Sequence, residues 1–335
     1  MKRMFGLLLT ALLAGCAGAL PNSLPTGPIV ALDANFPDPA VLRAGDGFYY
    51  AYATQGEFNG VMRNIQVARS RDLVRWEHRG DALPAKPAWA SKTQDFWAPH
   101  VARYEDRYLL YYSAKPDIAL SDSTRGLCLA VASAERPEGP FVDMGRPLLC
   151  GESFVNIDPT MFEDPATGRP LLYWGSGFGP IKVQELASDR MSFAADSTPV
   201  SLVEVIETDD PTNYRRLVEA AWVIRRDGWY YLFFSGDNCC GSNAHYAVMV
   251  ARSRSATGPF EVKPDDGGVI LAATPGWIAP GHNSTIEDER GNTHILYHAV
   301  DADRPRTTPS DDVNSRRIML VDRLIWRDGW PAIER

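Results

Sequence analysis

The sequence predicts an all-β fold, a single five-bladed β-propeller. A short aromatic-rich strand recurs five times at intervals of roughly 60 residues. No segment shows the sustained 3.6-residue periodicity that indicates helices. The 27 glycines and 25 prolines are scattered along the chain, which suits many short strands joined by turns. Five evenly spaced copies favour a propeller over a generic β-sandwich.

The five copies of this strand predict the five blades. Their sequences are GFYYAYAT, DRYLLYYSA, GRPLLYWGS, GWYYLFFSG and GNTHILYHA, beginning at Gly47, Asp106, Gly168, Gly228 and Gly291. Several copies are followed by another strand, such as IQVARS, LCLAVAS or YAVMVARS. A segment resembling an outer hairpin with Gly-Pro or charged turns comes next, so each repeat can supply one four-stranded blade.

The N-terminal segment has the features of an export signal. MKRMFGLLLTALLAGC has two basic residues, an apolar run at 5–13 and a terminal Cys16. The run is too short to span a membrane. Its end resembles a bacterial lipobox, in which the cysteine becomes lipidated; a plain signal peptide cleaved nearby is the alternative. We therefore predict a lipoprotein signal peptide at 1–15, a flexible tether at 16–28 and the propeller at 29–335. The expected location is the bacterial cell envelope, with membrane attachment through Cys16.

The net charge and the cysteines limit which binding partners, disulfides and metal sites are expected. The formal net charge is −8, so nucleic acid is not an expected partner. Four further cysteines remain, and an exported protein can form disulfides. Cys128 can pair with Cys150, and Cys239 with Cys240, but the sequence does not settle the pairing. None of the cysteine spacings matches a CxxC-type metal site.

One position just upstream of each aromatic strand is occupied by an ionisable residue in four of the five repeats. The segments are FPDPAVL, WAPHVAR, IDPTMF, VEAAWVI and GHNSTIE. Aligned, they place Asp38, Ala98, Asp158, Glu219 and His282 at spacings of 60, 60, 61 and 63 residues. The first strand of each propeller blade lines the central channel, so these positions are expected to form a ring around the axis.

Three carboxylates in one ring indicate catalysis rather than stability. Taken singly, Asp38 and Asp158 precede prolines and could be turn formers, and Glu219 could be a strand-edge charge. Together they would repel one another, and such crowding drives carboxyl pKa values apart. One group then stays ionised as a base while another keeps its proton as an acid, the pairing that glycoside hydrolysis requires.

Aromatic residues near the predicted channel ends suggest a sugar substrate, because aromatic faces stack on sugar rings. Trp97 is the preferred platform, since FWAPHV lies at the channel end of blade two. Trp174 is a second candidate. Phe36, two residues before Asp38, is also counted among the candidate substrate-binding residues.

These motifs resemble glycoside hydrolase family 43 over about residues 28–331. The resemblance rests on FPDPAV, FWAPHV, NIDPTMF, LVEAAWVIRRDGWYYLFFSG, PGHNSTIED and RRIMLVDRLIWRDGWP. It implies a five-bladed propeller and inversion at the anomeric carbon. It also implies that Asp38 is the general base, that Glu219 is the general acid, and that Asp158 orients Glu219 and tunes its pKa.

The resemblance implies two further features of the channel. His282 matches a histidine that helps to hold calcium or another cation through water; no cofactor is required for the chemistry itself. Arg317 matches an arginine that reaches the sugar, with Arg316 as the competing candidate.

The expected substrate is plant cell-wall arabinan or its oligosaccharides, cut at α-L-arabinofuranosidic bonds. The stretches SGDNCCGSNAHYAVMVARSRSATGPF and NIDPTMFEDPATGRPLLYWGSGFGPIKVQEL resemble arabinan-degrading members, whereas His100 in WAPHV departs from their pattern. Endo and exo action are not distinguished. The alternatives are a β-xylosidase or other glycosidase on the same scaffold, or a non-catalytic sugar-binding surface lipoprotein. A sucrose- or fructan-cleaving enzyme lacks support, because the early Asn-Asp-Pro segment expected of that group is absent.

Overall fold

The structure, a computed structural model, describes residues 27–307 and 316–335. Five antiparallel sheets of four or five strands form the blades of a β-propeller, which confirms the predicted fold class. The described residues contain four short 3-10 turns and no α-helix. The turns are Ala88–Ala90, Asp117–Leu120, Tyr214–Arg216 and Asp265–Gly268.

The strands follow one another blade by blade, from the channel outward. After β1 (Ile29–Asn35), blade one contains β2 (Ala40–Arg43), β3 (Tyr49–Ala53), β6 (Gln66–Ser70) and β7 (Trp76–Asp81). Between β3 and β6, β4 (Gly56–Phe58) and β5 (Val61–Arg63) form a separate two-stranded hairpin. Blade two contains β8 (Phe96–Tyr104), β9 (Arg107–Ala114), β10 (Cys128–Ala134), β11 (Val142–Asp143) and β12 (Leu149–Cys150). Blade three contains β13 (Thr160–Glu163), β14 (Pro170–Trp174), β15 (Ile181–Glu185) and β16 (Val200–Val203).

Blades four and five complete the ring. Blade four contains β17 (Val218–Arg226), β18 (Trp229–Asn238), β19 (His245–Ser253), β20 (Glu261–Val262) and β21 (Val269–Leu271). Blade five contains β22 (Trp277–Glu287), β23 (Thr293–Asp301), β24 (Arg317–Arg327) and β25 (Trp330–Ile333).

The aromatic repeats of the sequence form the second strand of each blade. These strands are buried on both faces; every residue of β3, β14 and β23 is buried. The reason is that each sheet packs between two neighbouring sheets. Five hydrophobic clusters result, one at each blade–blade junction. Tyr52 and Tyr112, for example, belong to the cluster between blades one and two.

The ring closes through the N-terminal strand. β1 pairs antiparallel with β24 and so becomes the outermost strand of blade five, a connection that the repeat pattern did not predict. The Phe36 N–H donates to the carbonyl of Arg317 at 2.8 Å. The Arg317 N–H donates to Asn35 Oδ1 at 3.0 Å. The closure therefore holds the backbone of Arg317 against the segment that leads to Asp38.

Two disulfides link the chain within blades two and four. Cys128 and Cys150 lie opposite each other on β10 and β12 and form a disulfide, and Cys239 and Cys240 form a second one. Both pairings that the sequence allowed are thus present. Among residues 27–307 and 316–335, no helix has the length and apolarity needed to cross a bilayer. Residues 1–26, which carry the predicted signal peptide and Cys16, lie outside the described residues.

The closing strand offers a test with its own control. Ala31 faces the cluster of Met319 and Val321 with 6% of its surface exposed, whereas its neighbour Val30 is 42% exposed. We expect Ala31→Asp to lower the free energy of unfolding by about 3 kcal/mol or more, because it buries an unpaired charge. Val30→Asp on the outer face should cost at most about 1 kcal/mol. Denaturant unfolding measures both, and equal losses would show that β1 does not complete the fifth blade.

Candidate active site

Each inner strand enters the channel through one residue in the left-handed backbone region. These residues have φ of 58° at Asp38, 46° at Ala98, 57° at Asp158, 59° at Ala220 and 48° at His282. Four of their N–H groups donate to a side chain of the preceding blade. The acceptors are His298 Nδ1 for Asp38 (3.1 Å), Thr54 Oγ1 for Ala98 (2.7 Å), Asp158 Oδ2 for Ala220 (2.9 Å) and Ser235 Oγ for His282 (2.8 Å). We call this contact the blade latch.

The blade latch corrects one detail of the sequence alignment. The left-handed residue of blade four is Ala220, so Glu219 lies one position before the site occupied by Asp38 and Asp158. Glu219 pairs with Ser235 on the neighbouring strand, as Trp97 pairs with Ser113 in blade two. The pocket is therefore built from two adjacent positions per blade. The ring alignment was wrong by one residue in blade four, because sequence spacing does not show where the bulge falls.

Asp38 is a buried carboxylate with two side-chain donors and two imidazoles around it. Arg317 donates to its Oδ1 at 2.8 Å, and Thr54 donates to its Oδ2. His282 and His298 place their Nδ1 atoms 3.4 and 3.1 Å from Oδ1. Burial alone would raise the pKa of Asp38, but Arg317 and the two imidazoles hold that pKa well below its ordinary value. Asp38 is therefore ionised at neutral pH.

Asp158 and Glu219 have the opposite preference. Burial, then the charges of Glu219 and Asp38, raise the pKa of Asp158 well above its ordinary value. Burial and the charge of Asp38 raise the pKa of Glu219 to about 7, although Tyr246 and Arg317 oppose the rise. The pocket thus combines one carboxylate that is held ionised with two carboxyls that keep their protons more easily.

Asp158 acts on Glu219 through the backbone. Its Oδ2 accepts the N–H of Ala220, the residue directly after Glu219. This bond ties blade three to the exact segment of blade four that carries Glu219. Asp158 therefore restrains the backbone from which the Glu219 side chain projects.

The structure separates the two candidate arginines. Arg317 lies in the pocket and contacts Asp38. Arg316 turns away and pairs with Asp33, and its Nη1 lies 3.8 Å from Asp301. Of the two, Arg317 alone is placed to meet a substrate bound at Asp38.

The three candidate sugar-binding aromatic residues differ in their exposure. Trp97 is half-buried beside Ala98 and keeps part of its surface open. Phe36 and Trp174 are 0% and 1% exposed. Phe36 packs in the core and Trp174 donates its Nε1 proton to Asn156 at 3.1 Å. Neither side chain is placed to contact a sugar, contrary to the expectation from the sequence, because both lie inside the fold.

His282 lies between two of the carboxylates. Its Nδ1 is 3.4 Å from Asp38 Oδ1 and 4.0 Å from Asp158 Oδ2. Burial lowers the pKa of His282; Asp38 opposes this effect and Arg317 adds to it, so the ring is neutral at neutral pH. Across residues 27–307 and 316–335, no three His, Cys, Asp or Glu side chains group closely enough to ligate a metal.

Several residues at this site were not identified from the sequence. Thr54, Ser235 and His298 lie in or directly after the second strands of their blades and serve as acceptors in the blade latch. The signal was available, because the aromatic repeats end in YAT, YSA, WGS, FSG and YHA, each with a hydroxyl or imidazole. Tyr246 also reaches Glu219, but it belongs to a third strand and carries no repeat signal.

The raised pKa of Asp158 predicts a stability effect that depends on pH. Below the ordinary aspartate pKa, the folded and unfolded states are both protonated at this residue. As pH rises above it, only the unfolded state ionises, so the native protein loses stability. Asp158→Asn should therefore match the native protein near pH 4 and be more stable at pH 7. The expected gain at pH 7 is at least about 1 kcal/mol, since one pKa unit is worth about 1.4 kcal/mol.

Asp164→Asn is the matched control for this prediction. Asp164 is 4% exposed, but hydrogen bonds from Thr167 and Tyr230 outweigh the effect of burial and lower its pKa. Its carboxylate stabilises the fold above the ordinary pKa, so this variant should lose stability at pH 7. Denaturant unfolding at pH 4 and pH 7 measures both variants. A loss of stability at pH 7 in Asp158→Asn would contradict the crowding of carboxylates in the pocket.

Comparison with known proteins places this geometry in a family. The family model described as glycosyl hydrolases family 43 matches residues 26–331. The chain is 25% identical over 319 residues to an extracellular exo-α-(1→5)-L-arabinofuranosidase of Cellvibrio japonicus, covering 89% of this chain and 86% of that protein. It is 28% identical over 309 residues to an extracellular endo-α-(1→5)-L-arabinanase of Bacillus subtilis, covering 88% and 86%.

A solved structure agrees in fold. The family 43 endo-arabinanase from Bacillus licheniformis superposes with a TM-score of 0.71 at 26% identity, covering 91% of this chain and 99% of that one. The family match covers nearly the whole chain and includes Asp38, Asp158 and Glu219. The protein is a member of glycosyl hydrolase family 43.

Proposed function

We propose that this glycosidase hydrolyses α-1,5-linked L-arabinofuranosyl bonds in arabinan or arabino-oligosaccharides, with inversion at the anomeric carbon. One observation carries the proposal: a single pocket holds Asp38 ionised and raises the pKa of Glu219 to about 7. An inverting glycosidase needs such a base and such an acid on opposite sides of the scissile bond. The names of the relatives support arabinan as the substrate.

In the proposed reaction, Asp38 removes a proton from a water molecule. The water oxygen attacks the anomeric carbon as the bond to the leaving oxygen breaks. Glu219 gives its proton to that oxygen, so the leaving sugar departs as an alcohol. Arg317 and Thr54 fix the two oxygens of Asp38, which keeps the base ionised and correctly turned.

Asp158 serves Glu219 in this scheme. Its bond to the Ala220 N–H holds the acid's backbone in place, while burial and the charge of Asp38 keep the acid protonated near neutral pH. Trp97 supplies a partly exposed aromatic surface for a sugar ring, and Arg317 can contact the sugar bound beside Asp38.

A cation near His282 is a further part of the proposal. A neutral imidazole beside two carboxylates fits a cation held through water rather than by direct ligation. When bound, the cation would supply positive charge to this end of the pocket. The acid and base steps do not depend on it.

Export to the cell envelope is also proposed. It is supported by the basic and apolar N-terminal segment and by the extracellular relatives. Attachment through a lipid on Cys16 rests on the lipobox-like residues alone. Labelling cells with a radioactive fatty acid would show label in the native protein and not in Cys16→Ser.

Product analysis tests the proposed activity. We expect turnover of debranched arabinan or arabino-oligosaccharides, and NMR should detect first the anomer of inverted configuration. Glu219→Gln and Asp38→Asn should each lower kcat by about a hundredfold to ten-thousandfold, because each removes one proton-transfer group. Product sizes would distinguish endo from exo attack.

Glu185→Gln is the control, since Glu185 pairs with Arg169 on blade three and does not touch the pocket. This variant should keep native turnover. A panel of nitrophenyl glycosides covers the β-xylosidase alternative. Exclusive release from xylosides would refute the arabinan assignment, and full activity of Glu219→Gln would refute the mechanism.

A further inference from the structure

The carboxyl group of Glu219 has a partner that comes from outside the inner strands. Tyr246 lies on β19, the third strand of blade four, and is 1% exposed. Its hydroxyl donates to Glu219 Oε1 at 2.7 Å. A third-strand residue reaches the channel wall here by lying across the junction between blades four and five.

The path of the Tyr246 ring depends on Gly281. A Cβ atom at position 281 would lie 2.0 Å from Cδ1 of Tyr246 and 2.2 Å from Cε1. Such distances are far inside van der Waals contact, so the ring occupies the space that a side chain would fill. Gly281 directly precedes His282 on β22, which places the gap beside the pocket.

The Tyr246 ring also stacks on a second buried ring. His298 lies parallel to Tyr246, with an interplanar angle of 7° and ring centroids 5.7 Å apart, an offset stack. His298 is fully buried, and its Nδ1 accepts the N–H of Asp38 at 3.1 Å. A continuous series of buried groups therefore runs from the backbone of Asp38 through His298 and Tyr246 to Glu219.

We propose that Tyr246 is a positioning residue that fixes the carboxyl group of Glu219 relative to Asp38 for proton delivery. The inference rests on the proposed role of Glu219 as the general acid. Because the hydroxyl donates to Oε1, the transferable proton of Glu219 sits on Oε2. Tyr246 thereby decides which oxygen faces the leaving group.

Electrostatics agrees with this geometry. Burial, and then the charge of Glu219, raise the pKa of Tyr246 well above its ordinary value, so the phenol remains a donor. Its hydrogen bond favours the ionised form of Glu219 and limits the rise in that pKa. Loss of the hydroxyl should therefore raise the pKa of Glu219 and move the basic limb of the pH profile of kcat/KM to higher pH.

The leaving group of the substrate separates positioning from general structural damage. Proton delivery matters when the leaving group is a sugar alcohol and little when it is an activated phenol. We expect Tyr246→Phe to lower kcat on arabino-oligosaccharides by about tenfold to a hundredfold. On 2,4-dinitrophenyl α-L-arabinofuranoside the loss should be under about threefold. KM should change little in both cases.

Three further variants complete the experiment. Glu219→Gln should show the same dependence on leaving group, but larger. Tyr112 is as buried as Tyr246, and its hydroxyl donates to the carboxylate of Asp143 at the same distance of 2.7 Å. Tyr112→Phe should therefore show no dependence on the leaving group. Gly281→Ala displaces the Tyr246 ring and should reproduce the effect of Tyr246→Phe, so the inference does not rest on a single variant.

The outcomes test the acid role of Glu219 and the positioning role of Tyr246 separately. If Glu219→Gln shows no dependence on leaving group, the acid assignment fails and the inference fails with it. If Glu219→Gln shows the dependence while Tyr246→Phe behaves like Tyr112→Phe, the proposed reaction stands and the role of Tyr246 is overturned. Equal losses on both substrates with an unshifted pH profile would likewise overturn it.

Discussion

The blade latch is the constraint on which the rest of the structure depends. A left-handed residue turns the chain into each inner strand, and a side chain of the preceding blade accepts its N–H at four of the five junctions. A buried N–H without a partner would cost free energy, so the acceptor stabilises each of these four turns. The latch fixes the relative position of adjacent blades at the point where the channel opens. Side chains on either side of the left-handed residue are therefore held at known places around the axis.

Acidic residues of the pocket take part in the latch itself. At the junction of blades one and two the acceptor is Thr54 and the left-handed residue is Ala98, a neutral pairing. At the junction of blades three and four the acceptor is the carboxylate of Asp158, which is itself the left-handed residue of its own blade. The side chain of Asp158 thus makes a structural hydrogen bond and also lines the pocket. Non-glycine residues in this backbone region cost about 1–3 kcal/mol each, and such strain is commonly found at functional sites.

Part of this organisation could be predicted from the sequence, for a physical reason. Blade number and strand order follow from a repeat, because each blade must bury both faces of its aromatic second strand, and that need leaves the same pattern five times. Asp38 and Asp158 were placed correctly since their blades share a 60-residue spacing. The predicted ring position of Glu219 was wrong by one residue, because a bulge changes the strand register without changing the composition.

Other features leave no periodic trace. Phe36 and Trp174 look like sugar-binding aromatics in the sequence, but only packing decides whether an aromatic ring faces the channel or the core. Tyr246 is one of many aromatic residues in strand segments, and its role depends on an absent side chain at Gly281. β1 joins a blade whose other strands lie about 250 to 300 residues away, a pairing fixed by ring closure rather than by local sequence.

Ring closure and the ionisation of the base are physically linked. Arg317 begins β24, the strand that receives β1, and its backbone is held on both sides by Asn35 and Phe36. Its guanidinium is the strongest of the groups that keep Asp38 ionised against the effect of burial. A propeller that opened between β1 and β24 would therefore release the cation and the segment leading to Asp38 together. The pKa of Asp38 would then rise, because the largest charge that lowers it would be gone, so ring opening would weaken the proposed base.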